Sequence, residues 1–238
     1  ILTIAGAGTT NITASQAGNG TYLPATNVSQ MLSVFPKSIT GTFSVASKEF
    51  DGTTTADIQN RSLLGVEVAD QLEVNLVGGA ATFASAAVGS GKVVNQTGMS
   101  LSGSKASNYN LQGVAPTTGD INPKQLIVTA DSKVKTYGDA DPILTYVTNG
   151  LVGGDALTGS LSRSAGNDVG VYPITASGLN AGNNYLVNFV GASLTINKKV
   201  LNVTAENKSR IFNVANPALT VTYAGFVNGE TTAVLSTL

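Results

Sequence analysis

Cysteine and histidine are both absent from the 238 residues of this chain. Without cysteine there is neither a disulfide framework nor a thiolate metal site. Without histidine the usual zinc ligand sets, Ser-His-Asp and Cys-His nucleophilic machinery, and imidazole acid–base chemistry all drop out. Charge is scarce as well: only 11% of residues are charged, and 13 basic residues against 14 acidic ones leave a formal net charge of -1. Binding to a polyanion needs a basic patch, so nucleic acid is not an expected partner. No apolar run approaches the roughly 18 residues of a membrane span, so no membrane insertion is expected in this stretch. Ile1 is not preceded by a leader pattern, and the chain reads as a window on a longer one.

What is abundant is Gly, Thr, Ser and Asn around a 42% apolar content with few aromatics, the composition of short strands joined by turns. The strongest signal is internal repetition. The stretch from Leu126 to Asp155 recurs 75 residues later, from Leu201 to Glu230. Leu126, Val128, Thr129, Ala130 and Lys133 reappear as Leu201, Val203, Thr204, Ala205 and Lys208, and Pro142, Leu144, Thr145, Gly150, Val152 and Gly154 recur at the same offset.

Four pieces follow. Residues 1–35 read as the closing half of one repeat, with strand-period alternation at Asn11 to Ser15 and Val28 to Val34 around a Gly18-Asn19-Gly20 turn. Residues 36–123 form a second unit and residues 124–199 a third. In the third, strands are expected at Gln125 to Ala130, Ile143 to Thr148, Gly159 to Ser162, Val171 to Ala176, Leu186 to Phe189 and Ala192 to Ile196. Residues 200–238 restart the unit and stop halfway. The junctions, Pro36-Lys37, Pro123-Lys124 and Lys198-Lys199, are a few residues long, which predicts limited swing and a semi-rigid rod. The expected fold is all-β: tandem small antiparallel sandwiches of immunoglobulin type. The alternative is a β-grasp-like unit with one short helix at Asp155 to Leu157 or within Ser62 to Gln71.

The motifs Lys133 to Pro142 (KVKTYGDADP), Gly170 to Ile174 (GVYPI) and Asn183 to Lys198 (NNYLVNFVGASLTINK) resemble the MBG-type repeat of large bacterial surface adhesins. The second unit, with Phe50-Asp51-Gly52 where the related motif has Tyr-Asp-Gly, resembles the YDG domain. In the last unit Phe212-Asn213-Val214 stands where the third has Tyr137-Gly138-Asp139. The resemblance implies an extracellular, bacterial cell-surface location and a non-catalytic structural or adhesive role. The partners it implies are neighbouring repeats of the same chain and surface glycans or host matrix. Other readings are a carbohydrate-binding appendage of a secreted enzyme, or a filament subunit whose tail, residues 200–238, completes another molecule's head.

Residues able to carry chemistry are few. Asp139, Asp141 and Asp155, with Asp168 further on, are the calcium candidates, since a hard cation needs several converging oxygens. Turn-making ahead of Pro142 is the favoured reading, because Val214 and Asn216 replace two of the carboxylates in the next copy. No cofactor is therefore expected. Glu67, Asp70 and Glu73 lie close in sequence but at no spacing that favours a two-carboxylate mechanism. Gly89-Ser90-Gly91-Lys92 lacks the flanking residues of a phosphate loop and reads as a hairpin turn. Tyr22, Tyr109 and Tyr185 each follow an Asn-bearing turn, the expected setting for a tyrosine whose ring packs inside and whose hydroxyl bonds backbone. Lys133, Lys135, Lys208 and Arg210 alternate on one strand, as edge-guarding cations do.

Overall fold

The computed structural model describes residues 3–235. The protein is all-β: among the described residues there is no α-helix, and the only helical segments are single 3-10 turns at Val68–Asp70, Ala106–Asn108 and Thr232–Val234. Asp155 to Leu157 forms no helical turn. The contacts divide the chain into two compact units, residues 1–124 and 125–238.

The first unit opens with a hairpin of β1 (Gly8–Gln16) and β2 (Ala25–Val34), antiparallel with Thr10 opposite Leu32. Val28 to Val34 thus belongs to one ten-residue strand. Eight strands follow: β3 (Lys37–Val45), β4 (Lys48–Glu49), β5 (Thr55–Ala56), β6 (Ile58–Leu64), β7 (Asn75–Phe83), β8 (Gly89–Ser102), β9 (Tyr109–Val114) and β10 (Thr117–Asn122). They form two sheets, β6-β3-β9 and β4-β10-β8-β7-β5. On β3 the buried positions alternate as Ile39, Gly41 and Phe43, the period of a strand with one face on a core. Val74, Leu76, Ala81, Phe83, Val94 and Ile121 come to that core from the other sheet and its margin.

The second unit repeats the plan with β11 (Lys124–Ala130), β12 (Lys133–Thr136), β13 (Tyr146–Asn149), β14 (Thr158–Arg163), β15 (Gly170–Asn180), β16 (Tyr185–Val190) and β17 (Ala192–Asn197). Its sheets are β13-β11-β16 and β12-β17-β15-β14, the same order as before without the counterpart of β5. Leu126, Val128 and Ala130 of one sheet and Ile174, Leu194 and Ile196 of the other are buried.

The sheets are not purely antiparallel. Strands β3 and β9, β4 and β10, and β12 and β17 pair in parallel. The reason lies in the path of the chain. After β3 it crosses through Ala46-Ser47 to the other sheet, and after β9 it crosses through Ala115-Pro116 in the same sense. Two consecutive strands therefore run alongside two others in one direction, a pair in each sheet.

The last piece is a two-stranded ladder of β18 (Asn202–Ala205) and β19 (Val221–Ala224). Its register is that of β11 and β13 moved along by one repeat: Ile127 faces Asn149 and Val128 faces Thr148, while Asn202 faces Ala224 and Val203 faces Tyr223. The repeated glycine has the same task in both. A Cβ on Gly150 would lie 2.4 Å from the Gln125 carbonyl oxygen, one on Gly225 would lie 2.7 Å from that of Val200, and both have positive φ.

Three strands differ from expectation. Strand β13 begins at Tyr146, and Ile143, one residue after Pro142, is 85% exposed. Strand β6 (Ile58–Leu64) starts before the ambiguous run of Ser62 to Gln71 and takes in only its first three residues. Strand β8 extends over 14 residues, although GSGKVVNQTGMSLS shows little apolar alternation, because backbone pairing with both β7 and β10 holds it.

Leu126 and Leu201 occupy the same repeat position, but Leu126 is fully buried and Leu201 is partly exposed. Leu126→Ala is expected to destabilise the second unit by about 2–5 kcal/mol, and Leu201→Ala by much less, as read from denaturant midpoints.

Candidate functional site

Each complete unit is fastened by one buried tyrosine. Tyr109 and Tyr185 open β9 and β16, and each is less than a tenth exposed. The Tyr109 hydroxyl accepts the Glu67 backbone N–H at 3.2 Å and donates to Asp70 Oδ2 at 2.7 Å. The Tyr185 hydroxyl accepts from Val152 N–H at 2.9 Å and donates to Asp155 Oδ2 at 2.5 Å. In both cases the acceptor carboxylate lies three residues beyond the donating amide, on the loop that follows β6 or β13. Burial is the first cause that pushes both phenols above their ordinary value, and the adjoining carboxylate adds to it. Tyr22 does not share this setting. It lies in the β1–β2 turn, 72% exposed, with its own N–H bonded to Asn19 Oδ1 at 2.9 Å, and no described strand covers its ring.

The second cluster lies around the Tyr137-Gly138-Asp139 loop. Asp141 accepts from Lys135 Nζ at 2.7 Å and from Arg163 Nε at 2.6 Å. Arg163 spends its other donors on the Ser164 and Gly166 carbonyls and on Asn167, and its guanidinium lies over the Tyr172 ring. The hydrogen bond from Arg163, then that from Lys135, holds the Asp141 carboxyl down to about 2. Lys48 and Asp51 make the corresponding pair at 2.8 Å in the first unit, and there too the lysine hydrogen bond lowers the carboxyl to about 2.

These lysines lie on edge strands, but they do not stand out in solvent as guards. The Lys135 side chain is only 8% exposed, and Nζ also reaches the Asp139 carbonyl at 3.0 Å. Lys133 Nζ bonds Thr145 Oγ1 at 2.7 Å. Lys208 and Arg210 lie in no strand: a partner equivalent to β17 does not flank them among the described residues. They keep the bonding pattern nonetheless. Arg210 donates to the Val214 carbonyl at 2.7 Å, as Lys135 does to that of Asp139, and Lys208 pairs with Glu206 at 2.9 Å, as Lys133 approaches Asp131. Thr220 bonds Glu206 as Thr145 bonds Asp131. The cations staple their own loops.

The calcium candidates are not brought together. Asp141 is matched by two cations, Asp139 lies 3.7 Å from Lys199 Nζ, and Asp155 serves Tyr185. Among the described residues no three acidic side chains share a site. Glu67, Asp70 and Glu73 are likewise dispersed: Glu67 pairs with Lys37, Asp70 with Tyr109, and Glu73 accepts from Ser104. Gly89 to Lys92 is not a turn but the start of β8, with an irregular register opposite Gly119 and Ile121, where Asp120 Oδ1 accepts the Gly91 N–H at 2.8 Å.

Successive all-β sandwiches with one strand order and one tyrosine clamp define a tandem-repeat protein. Among known families, residues 35–119 match the YDG domain, and residues 126–195 and 201–238 match the MBG domain (YGX type). The chain therefore carries YDG and MBG domains in tandem. The second MBG match has Phe212-Asn213-Val214 at the place of Tyr137-Gly138-Asp139. No curated protein and no solved structure matches the chain.

Tyr185→Phe deletes the bridging hydroxyl and leaves both the Val152 amide and the Asp155 carboxylate without it; a loss of about 1–3 kcal/mol is expected in denaturant unfolding. Because the folded-state phenol titrates above its ordinary value, the clamp contributes fully below about pH 10 and fades as pH rises through the folded value. The variant should therefore lose the alkaline limb of the wild-type stability profile. Asp141 has the opposite sign. Its folded value lies below the ordinary 3.8, so its contribution is complete above that pH and disappears as pH falls through about 2. Asp141→Asn should remove that acid limb, as followed by thermal melts between pH 5 and pH 2.

Proposed function

We propose that this chain is a non-catalytic structural and adhesive stretch of a large bacterial cell-surface protein, working outside the cell as a semi-rigid stalk. The observation that supports it is the repetition itself. Strand order, pairing register and loop staples recur from one copy to the next, and the chemically capable side chains are engaged by these recurring bonds. Asp70 and Asp155 hold tyrosines, Asp141 is neutralised by Lys135 and Arg163, and Lys48 closes its own loop. A chain that devotes its polar chemistry to holding one shape many times over is suited to bearing length and load. The surface left for ligands consists of exposed Thr, Ser and Asn rows on strands such as β1, whose nine residues are all exposed. Such rows offer hydroxyl and amide groups of the kind that meet sugars by hydrogen bonding.

An antibody against this segment is expected to label intact cells of the source bacterium, and labelling that appears only after permeabilisation would overturn the surface assignment. On an array of immobilised glycans and matrix proteins, retention of the purified chain marks the adhesive role. Turnover of any arrayed glycan would overturn the non-catalytic one.

A further inference from the structure

We infer that the Tyr137-Gly138-Asp139 triplet is a coupling site between consecutive repeats, and that its partner is the loop Gly225–Glu230 of the following copy. Two residues of the triplet meet the following copy and the third reaches the junction. The Tyr137 hydroxyl donates to Glu230 Oε1 at 2.5 Å. A Cβ on Gly138 would lie 2.5 Å from Val227 Cγ2 and 2.8 Å from its Cβ, so only glycine lets that side chain close on the triplet. Asp139 Oδ1 lies 3.7 Å from Nζ of Lys199, in the junction itself. Around these contacts Val169, Leu201, Phe226 and Val234 line an apolar pocket together with Tyr137 and Val227. A polar bond is thereby set beside a small apolar patch.

The loop reached from outside is the same one that each complete domain fastens from inside. Asp155 receives Tyr185 of its own domain; Glu230, at the same repeat position, receives Tyr137 of the preceding one. The triplet in turn is held ready by its own domain. The Tyr137 N–H bonds the Asn197 carbonyl at 2.9 Å at the end of the parallel β12–β17 pair, and Lys135 fixes the Asp139 carbonyl. In the following copy Phe212 lacks the hydroxyl and Val214 lacks the carboxylate, while Asn213 retains a positive φ of 65° in place of Gly138. The coupling is thus written in the triplet: Tyr-Gly-Asp makes a bonded joint, and Phe-Asn-Val keeps the loop shape without the bonds. This holds whether or not the segment binds a surface.

Hydrogen–deuterium exchange on the whole chain tests it, with Tyr137→Phe, Glu230→Ala and the double variant. Peptides within 200–235 are expected to exchange faster by about threefold or more in each single variant, peptides within 126–197 to stay as in the wild type, and the double variant to exchange no faster than the faster single. Tyr185→Phe, which opens the internal clamp instead, is expected to loosen 150–155 and leave 225–235 unchanged. Unchanged exchange in 200–235, additive single effects, or equal acceleration of 126–197 by Tyr137→Phe would overturn the coupling.

Discussion

A phenol hydroxyl inside a sandwich is the constraint on which each complete unit rests. A buried tyrosine carries one group that must find partners, and the loop after β6 or β13 supplies two: a backbone N–H that would otherwise be unpaired, and a carboxylate three residues on. The arrangement ties β9 or β16, late in the unit, to a loop from its first half, so that neither half is finished without the other. The ring joins Ile39 and Val74 in one cluster in the first unit, which makes the polar bond and the apolar packing parts of one contact. Satisfied networks of this kind define a single geometry. In a domain of this size, where little apolar surface is removed from water, that definition matters more than in a large one.

Repetition then extends the logic to side chains that composition alone would call solvated. Lys135 and Arg210 are both turned back onto a carbonyl four residues ahead. Asp131 with Thr145 and Glu206 with Thr220 make the same closure at the ends of β11 and β18. Bonds between residues 4 and 14 apart are local ones. They shape the loops before the sheet is complete, and local order of this sort reduces the entropy that the later, long-range parallel pairings must overcome.

Much of this was legible in the residues. The alternation of Leu126, Val128 and Ala130 marks a strand with one buried face, and burial follows it. The shared Gly150 and Gly225 pointed to a backbone requirement, met by the close approach of Gln125 and Val200 carbonyls. Tyr109 and Tyr185 were identifiable as packing tyrosines from their common position. Their acid partners were not, because Asp70 and Asp155 lie 39 and 30 residues away and nothing in a single sequence joins them until the sheets are assembled. In retrospect a signal exists: an acid stands at a fixed distance after the repeated glycine in Gly65 to Asp70, Gly150 to Asp155 and Gly225 to Glu230. The parallel pairs were also out of reach, since strand period reports which face is buried and is silent on direction. Of strand β8 only Lys92 to Val94 was legible, for a related reason. A central strand held by two neighbours needs no apolar alternation of its own.

The acid on that loop also shows why like positions need not do like work. Its carboxylate offers two oxygens on a turn at the margin of the domain, within reach of a phenol from inside its own unit and of one from the unit before. Asp155 accepts a phenol of the first kind from Tyr185, and Glu230 one of the second kind from Tyr137. Fold and linkage thus draw on the same loop. A substitution that removes the donor, as Phe212 does at the position of Tyr137, changes how a repeat is joined to its neighbour without touching the alternating core residues that make it a sandwich, so the joints of such an array can vary from copy to copy while the fold of each copy stays the same.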